Sequence, residues 1–177
     1  MATTVVKTIG STGDYSTLHA WYDDRKGDLV TRNTIEVAEL LGESHYFKAC
    51  LYMYGDTVDS EHYFVIRPVT GAHFRGDFGN LDGQAVIRPG PSWGGVEVFN
   101  CFDSYTKFIG FAVVNFSTFY TFFVGLRDLL FSGIGISNNL GIYGSSTGIF
   151  IDCYDGTNTV INNCVFSDLL TAGIFTT

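Results

Sequence analysis

The sequence predicts an all-β chain wound as a single-stranded, right-handed parallel β-helix with a short N-terminal capping helix. Three observations lead there. Short runs rich in Val, Ile, Phe and Tyr alternate with glycine-containing turns, and 21 glycines serve those turns. Apolar positions return every 20–30 residues, the signature of stacked repeats. No helix-forming stretch interrupts them after about residue 33.

The chain divides into an N-terminal strand and capping helix, 1–33, and repeating coils, 34–177, that form one compact body with the cap. In the first part Ser16 is placed to cap a helix whose Leu18, Trp21 and Tyr22 share one face, and Gly27 ends it. In the second part Val65-Ile66-Arg67-Pro68 recurs as Val86-Ile87-Arg88-Pro89. Phe108–Asn115 aligns with Phe131–Asn138 and again with Ile161–Asp168. Stacking of such repeats predicts files of side chains: Val96, Phe122, Ile149 and Ile174 in one, and Val98, Val124 and Ile151 in the next. Phe111, Ile134 and Cys164 make a third file, with Val113, Ile136 and Phe166 beside it. Asn115, Asn138 and Asp168 are expected at a shared corner, because Asn and Asp tolerate left-handed backbone. An antiparallel sandwich is the alternative, but it does not require the same apolar positions to return at this spacing.

Composition bounds the function. Ten Lys and Arg against 18 Asp and Glu give a net charge of −8, and no Lys or Arg follows Arg127. A chain without clustered cations is not expected to bind nucleic acid. No apolar run is long enough for a membrane helix, and the N-terminal MATTVVKTIGSTG lacks the apolar core of a signal peptide. The four cysteines form no CxxC pair, and the histidines show no HxH or HExxH spacing, so buried thiols and no metal or cofactor are expected.

KTIGSTGDYSTLHAWYDD, through Gly13-Asp14-Tyr15-Ser16-Thr17-Leu18, resembles the N-terminal segment of pectate-lyase-like right-handed β-helix proteins. In that superfamily a strand turns into a short helix that caps the first coil. Its members include polysaccharide lyases, hydrolases and esterases, and also bacteriophage tail spikes and other virion proteins. The resemblance therefore implies a fold and leaves the activity open.

Catalysis on a glycan needs two converging carboxyl groups. Asp103 and Asp128 are the weak candidates, with Lys107 and Arg127 nearby, and they read better as solvated corner residues. None of the Asn-Thr-Asp, Asp-Asp, His-Gly or Arg-Ile-Lys strings of polygalacturonases occurs. Arg67 and Arg88, in the repeated VIRP unit, are expected to cap strand ends; the alternative is that they stack on neighbouring coils and bind an anion or an acidic partner surface.

Assembly has stronger signals. Phe116, Phe119, Tyr120, Phe122 and Phe123 crowd one short stretch, and alternation prevents all of them from pointing inward. Ile174 and Phe175 lie in a last repeat without a polar cap. These seven residues are the candidate interface. The expectation is a non-enzymatic structural protein of a phage-like virion. It is a homo-oligomer, a trimer, acting as capsid-decorating cement or spike component beside partners such as a major capsid protein. A glycan-cleaving or glycan-binding β-helix is the alternative.

Overall fold

A computed structural model describes residues 1–89, 98–115, 120–124, 129–138, 147–151, 159–167 and 172–176. The N-terminal strand β1 (Thr3–Ile9) is followed by a tight turn. Asp14 ties that turn back, accepting from the Thr8 N–H at 2.8 Å and the Thr8 hydroxyl at 3.0 Å. Helix α1 (Leu18–Arg25) follows, with Leu18, Trp21 and Tyr22 buried. Its capping hydroxyl is that of Thr17, which accepts from the Ala20 N–H at 3.1 Å; Ser16 lies one residue outside the cap. A second helix of one turn, α2 (Leu29–Arg32), is capped by Asp28 and closed by Asn33 in left-handed geometry, φ 54°.

The remaining strands are β2 (Thr34–Leu40), β3 (Ser44–Phe47), β4 (Leu51–Met53), β5 (Phe64–Pro68), β6 (Val86–Pro89), β7 (Phe99–Cys101), β8 (Lys107–Ile109) and β9 (Ala112–Asn115). Then come β10 (Tyr120–Val124), β11 (Leu130–Ser132), β12 (Gly135–Asn138), β13 (Thr147–Ile151), β14 (Val160–Asn162), β15 (Val165–Ser167) and β16 (Ala172–Thr176). They lie in three parallel sheets. The first has the order β1-β2-β5-β8-β11-β14, the second β3-β6-β9-β12-β15, and the third β4-β7-β10-β13-β16.

The expected right-handed β-helix with one capping helix is corrected here. The described residues show three separate parallel sheets with no closed solenoid, and two short helices in place of one. The physical reason lies in what a repeat encodes. Recurring apolar positions specify which strands pair and in which sense; closure of a wound ribbon depends on the connections. Those connections are uneven: β8 and β9 are joined through Gly110 and Phe111 alone, whereas β5 and β6 are separated by Val69–Ala85.

The registers separate true equivalences from accidental ones. Phe108, Phe131 and Ile161 align across the first sheet, and Val113, Ile136 and Phe166 across the second. In the third, Phe122 aligns with Ile149 and Ile174, but on the other side with Phe99 and not with Val96, which lies outside the described residues. Val124 likewise meets Cys101, not Val98. The two VIRP runs do not stack. Val65 pairs within the first sheet and Val86 within the second. Arg67 reaches Glu39 at 2.8 Å, while the Arg88 Nε donates to the Ser44 hydroxyl at 3.2 Å.

The left-handed corner also moves. Asn115 and Asn138 are ordinary strand residues, and Asp168 lies outside the described residues. The turn between first and second sheet is made instead by Gly110, Gly133 and Asn163, with φ of 73°, 64° and 50°. A Cβ on Gly110 would approach the His73 ring at 2.6 Å, so glycine is required there for space as well as for backbone sign.

One core joins the sheets. Phe47, Phe64, Phe99, Phe108, Phe111 and Phe131 are all buried within it. A second, smaller cluster sits on the opposite face of the second sheet, where Phe74, Phe78 and Leu81 of the Val69–Ala85 connection cover Val86, Ala112 and Val114. The Phe74 and Phe78 rings meet at a tilt of 42° with centres 4.8 Å apart, and the Phe74 N–H donates to the Gly110 carbonyl at 2.7 Å. The flap is held by few apolar contacts, so it should open below the global barrier. Phe78→Ala should speed hydrogen exchange at the Phe74 amide by roughly tenfold, at about 1.4 kcal/mol, while shifting Tm by only a few degrees. Loss of the whole protein's exchange protection in parallel would show instead that the flap and core open together.

Candidate functional site

The densest convergence of ionisable groups among the described residues lies where α1 meets the ends of β4 and β7. Its parts are far apart in sequence. Tyr22 comes from the buried face of α1, Asp56 from the loop after β4, and Asp103 from the loop after β7. The Tyr22 hydroxyl lies 2.6 Å from Asp56 Oδ2 and 3.2 Å from Asp103 Oδ2, and accepts from the Tyr54 N–H at 3.0 Å. The Asp56 N–H donates to Asp103 Oδ1 at 3.0 Å, and the Gly27 N–H donates to Asp56 Oδ1. Beneath them, the Thr106 hydroxyl and the Cys101 thiol both donate to the Asp103 carbonyl, at 3.1 and 3.5 Å.

Asp103 is 3% exposed, so it is not the solvated corner residue the sequence suggested. Burial pushes its carboxyl up to about 7, helped by the hydrogen bond and the negative charge of Asp56. Burial also raises the Cys101 thiol to about 12 and raises the Tyr22 phenol, with Asp56 adding to the latter. A carboxyl pair of this kind has the protonation states that acid–base catalysis uses. Tyr22 is 4% exposed and lies across the two carboxyl groups, and neither cleft described below includes Asp56 or Asp103. The pair joins the cap to the ends of β4 and β7.

Asp128, the other catalytic candidate, lies outside the described residues. Lys107 is engaged elsewhere, with Nζ 3.8 Å from the centre of the Tyr63 ring. The true neighbours of Asp103 were missed because Asp56 and Tyr22 carry no motif. One signal existed: Tyr22 was legible as buried, and a buried phenol needs a partner for its hydroxyl.

A cleft of about 270 Å³ opens between the turn before α1 and β3, lined by Ser11, Ser16, Thr17, Glu43, His45 and Tyr46 among others. Glu43 is occupied by the Ser11 N–H and hydroxyl, which hold its carboxyl below the usual range. Burial lowers His45, whose Nε2 sits 3.0 Å from the Leu41 carbonyl. A second hollow, of about 390 Å³, is lined by Met1, Ala2, Ile35, Ser60, Glu61 and Tyr63. Neither brings a nucleophile to a free base. Among the described residues no three His, Cys, Asp or Glu side chains come together as a metal site. None of the helices there is long and apolar enough to cross a membrane.

Four of the seven interface candidates fall into two rows of the third sheet. Phe122 and Ile174 share a row with Leu51, Phe99 and Ile149, all three of which are buried. Tyr120 is two residues before Phe122, in register with Thr147. Phe123 and Phe175 belong to the neighbouring row, Tyr52–Asn100–Phe123–Phe150–Phe175. Tyr52 in that row is 58% exposed while Leu51 and Met53 on either side are buried, so at β4 this row starts on the sheet's outer face. Phe116 and Phe119 lie outside the described residues. Comparison of the chain with protein-family models, with curated proteins and with solved structures finds no match.

Proposed function

We propose that this chain is a non-enzymatic structural protein that assembles with further copies of itself through the outer face of its third sheet. The observation that carries this reading is the row Tyr52–Asn100–Phe123–Phe150–Phe175, aromatic at four of five successive strands. Strands about 4.8 Å apart make this a stripe of roughly 19 Å. The row carries no charge in a chain of net charge −8. Two copies therefore meet there without the like-charge repulsion that opposes contact elsewhere.

The trimer and the setting on a virion, as cement or spike beside a capsid protein, rest on the small, acidic, apolar make-up of the chain, its aromatic run and the absence of glycan-cleaving strings. Light scattering after size exclusion tests the assembly. The expected mass is three chains for the native protein, falling to one chain for a Phe123→Ser, Phe150→Ser double variant with its circular dichroism retained. A native protein that stays monomeric at every concentration, or a variant whose mass is unchanged, overturns the reading.

A further inference from the structure

The geometry points to a proton-operated latch: Asp103 carries a proton that closes the Tyr22–Asp56–Asp103 triangle and docks α1 and the 54–57 loop onto the sheets, and losing that proton loosens both. The inference does not rest on the assembly proposed above.

Counting hydrogens requires it. The Tyr22 hydroxyl owns one hydrogen, and the shorter contact, 2.6 Å to Asp56, takes it. The 3.2 Å contact to Asp103 Oδ2 is then a hydrogen bond only if Asp103 itself is the donor. With Asp103 ionised, two carboxylates would face one another across a single phenol, with Asp103 almost wholly out of water. Protonated, Asp103 donates through Oδ2 and still accepts from the Asp56 N–H through Oδ1.

The charged and titratable surroundings come from every element that packs there. From α1 come Tyr22, Asp23 and Lys26; Lys26 lies 5.8 Å from the Tyr22 ring but is paired with Asp23 at 2.7 Å. The link to α2 contributes Asp28, whose carboxylate is committed to Thr31. The β4 end contributes Tyr54 and Asp56, and the β7 end Cys101 and Asp103. Lys26 is thus shared between Asp23 and Asp56, and no cation is hydrogen-bonded to Asp103 among the described residues, so a proton on Asp103 relieves the pair.

The sign of the response follows. The Asp103 carboxyl titrates near 7 in the folded protein and near 3.8 when released. The latch is therefore fully favourable below about 4, weakens as pH rises from there to about 7, and changes little above that.

Three amides report the three sides: Gly27 to Asp56, Tyr54 to Tyr22, and Asp56 to Asp103. Their hydrogen exchange, corrected for the intrinsic pH dependence, is measured on the full chain between pH 5 and 8. The native protein should lose protection at all three by roughly tenfold or more over that range. Asp103→Asn, which places an N–H where the acid proton sits, should keep protection at pH 8 and flatten the response. Asp56→Asn, should Asp103→Asn not fold, should shrink the response and move it to lower pH, since the burial of Asp103 remains while the Asp56 charge is gone. A native protein with pH-independent protection, or an Asn variant that loses protection as the native one does, overturns the latch.

Discussion

Replacing Arg25 by Ala should cost about 3–5 kcal/mol of folding stability, the loss found when one partner of a buried ion pair is removed. Glu36 explains the size. It sits in β2, between β1 and β5, and is 0% exposed. Arg25 holds its carboxylate with two hydrogen bonds, Nε to Oε2 at 2.9 Å and Nη2 to Oε1 at 2.8 Å. The two-pronged fit is geometry that only a guanidinium provides. Arg32 lies 3.9 Å from the same carboxylate, and its own hydrogen bonds go to the Lys26 and Arg25 carbonyls. Without Arg25 the carboxylate stays buried with both guanidinium hydrogen bonds lost and only the Arg32 charge beside it. Arg25→Lys should recover part of the loss, because it returns the charge without the fork. Arg25→Ala combined with Glu36→Gln should recover more, because the stranded charge is then gone. Urea denaturation of the three variants checks this; an Arg25→Ala loss below about 1 kcal/mol would place the pair among ordinary surface bridges.

The sequence made the pairing partners of the middle strands readable, and Phe108, Phe131 and Ile161 show why. Each is the apolar centre of a three-residue strand followed by a positive-φ residue, Gly110, Gly133 or Asn163, so chemistry and backbone sign recur together. The VIRP runs misled because four residues alone do not say which sheet they join. Arg67 and Arg88 differ only in what lies beside them, Glu39 in one sheet and Ser44 in another. The third sheet slipped at Val96 for a related reason. Val98 and Phe99 are both apolar and both buried, so alternation does not choose between them; pairing with Leu51 does. Whether the sheets close into one wound ribbon was not written in the repeat, since a period encodes pairing and the connections decide the rest. The carboxyl triangle was the least legible part. Asp56 and Asp103 are 47 residues apart and Tyr22 and Asp103 are 81 apart, and burial alone turns three common side chains into a linked group.

Phe99→Ala should be as damaging as the loss of Arg25, about 3–5 kcal/mol, through a different mechanism. Phe99 belongs to the third sheet. Its ring lies 5.5 Å from Phe47 of the second sheet and 5.3 Å from Phe108 of the first, both edge-on, and 6.2 Å from Phe111. Phe108 in turn stacks on Phe131 at 5.1 Å. One side chain thus touches all three sheets, each of which presents short, stiff strands that cannot collapse into the space it would leave. The cavity cost should therefore fall at the upper end of the range. Phe99→Leu keeps most of the volume and should lose less than about 1.5 kcal/mol. The two variants separate packing from simple hydrophobicity: near-equal losses would mean that the three sheets do not meet on this ring. The expected companion effect is a broadened thermal transition for Phe99→Ala, because sheets that no longer share a side chain lose part of the contact that makes them unfold together.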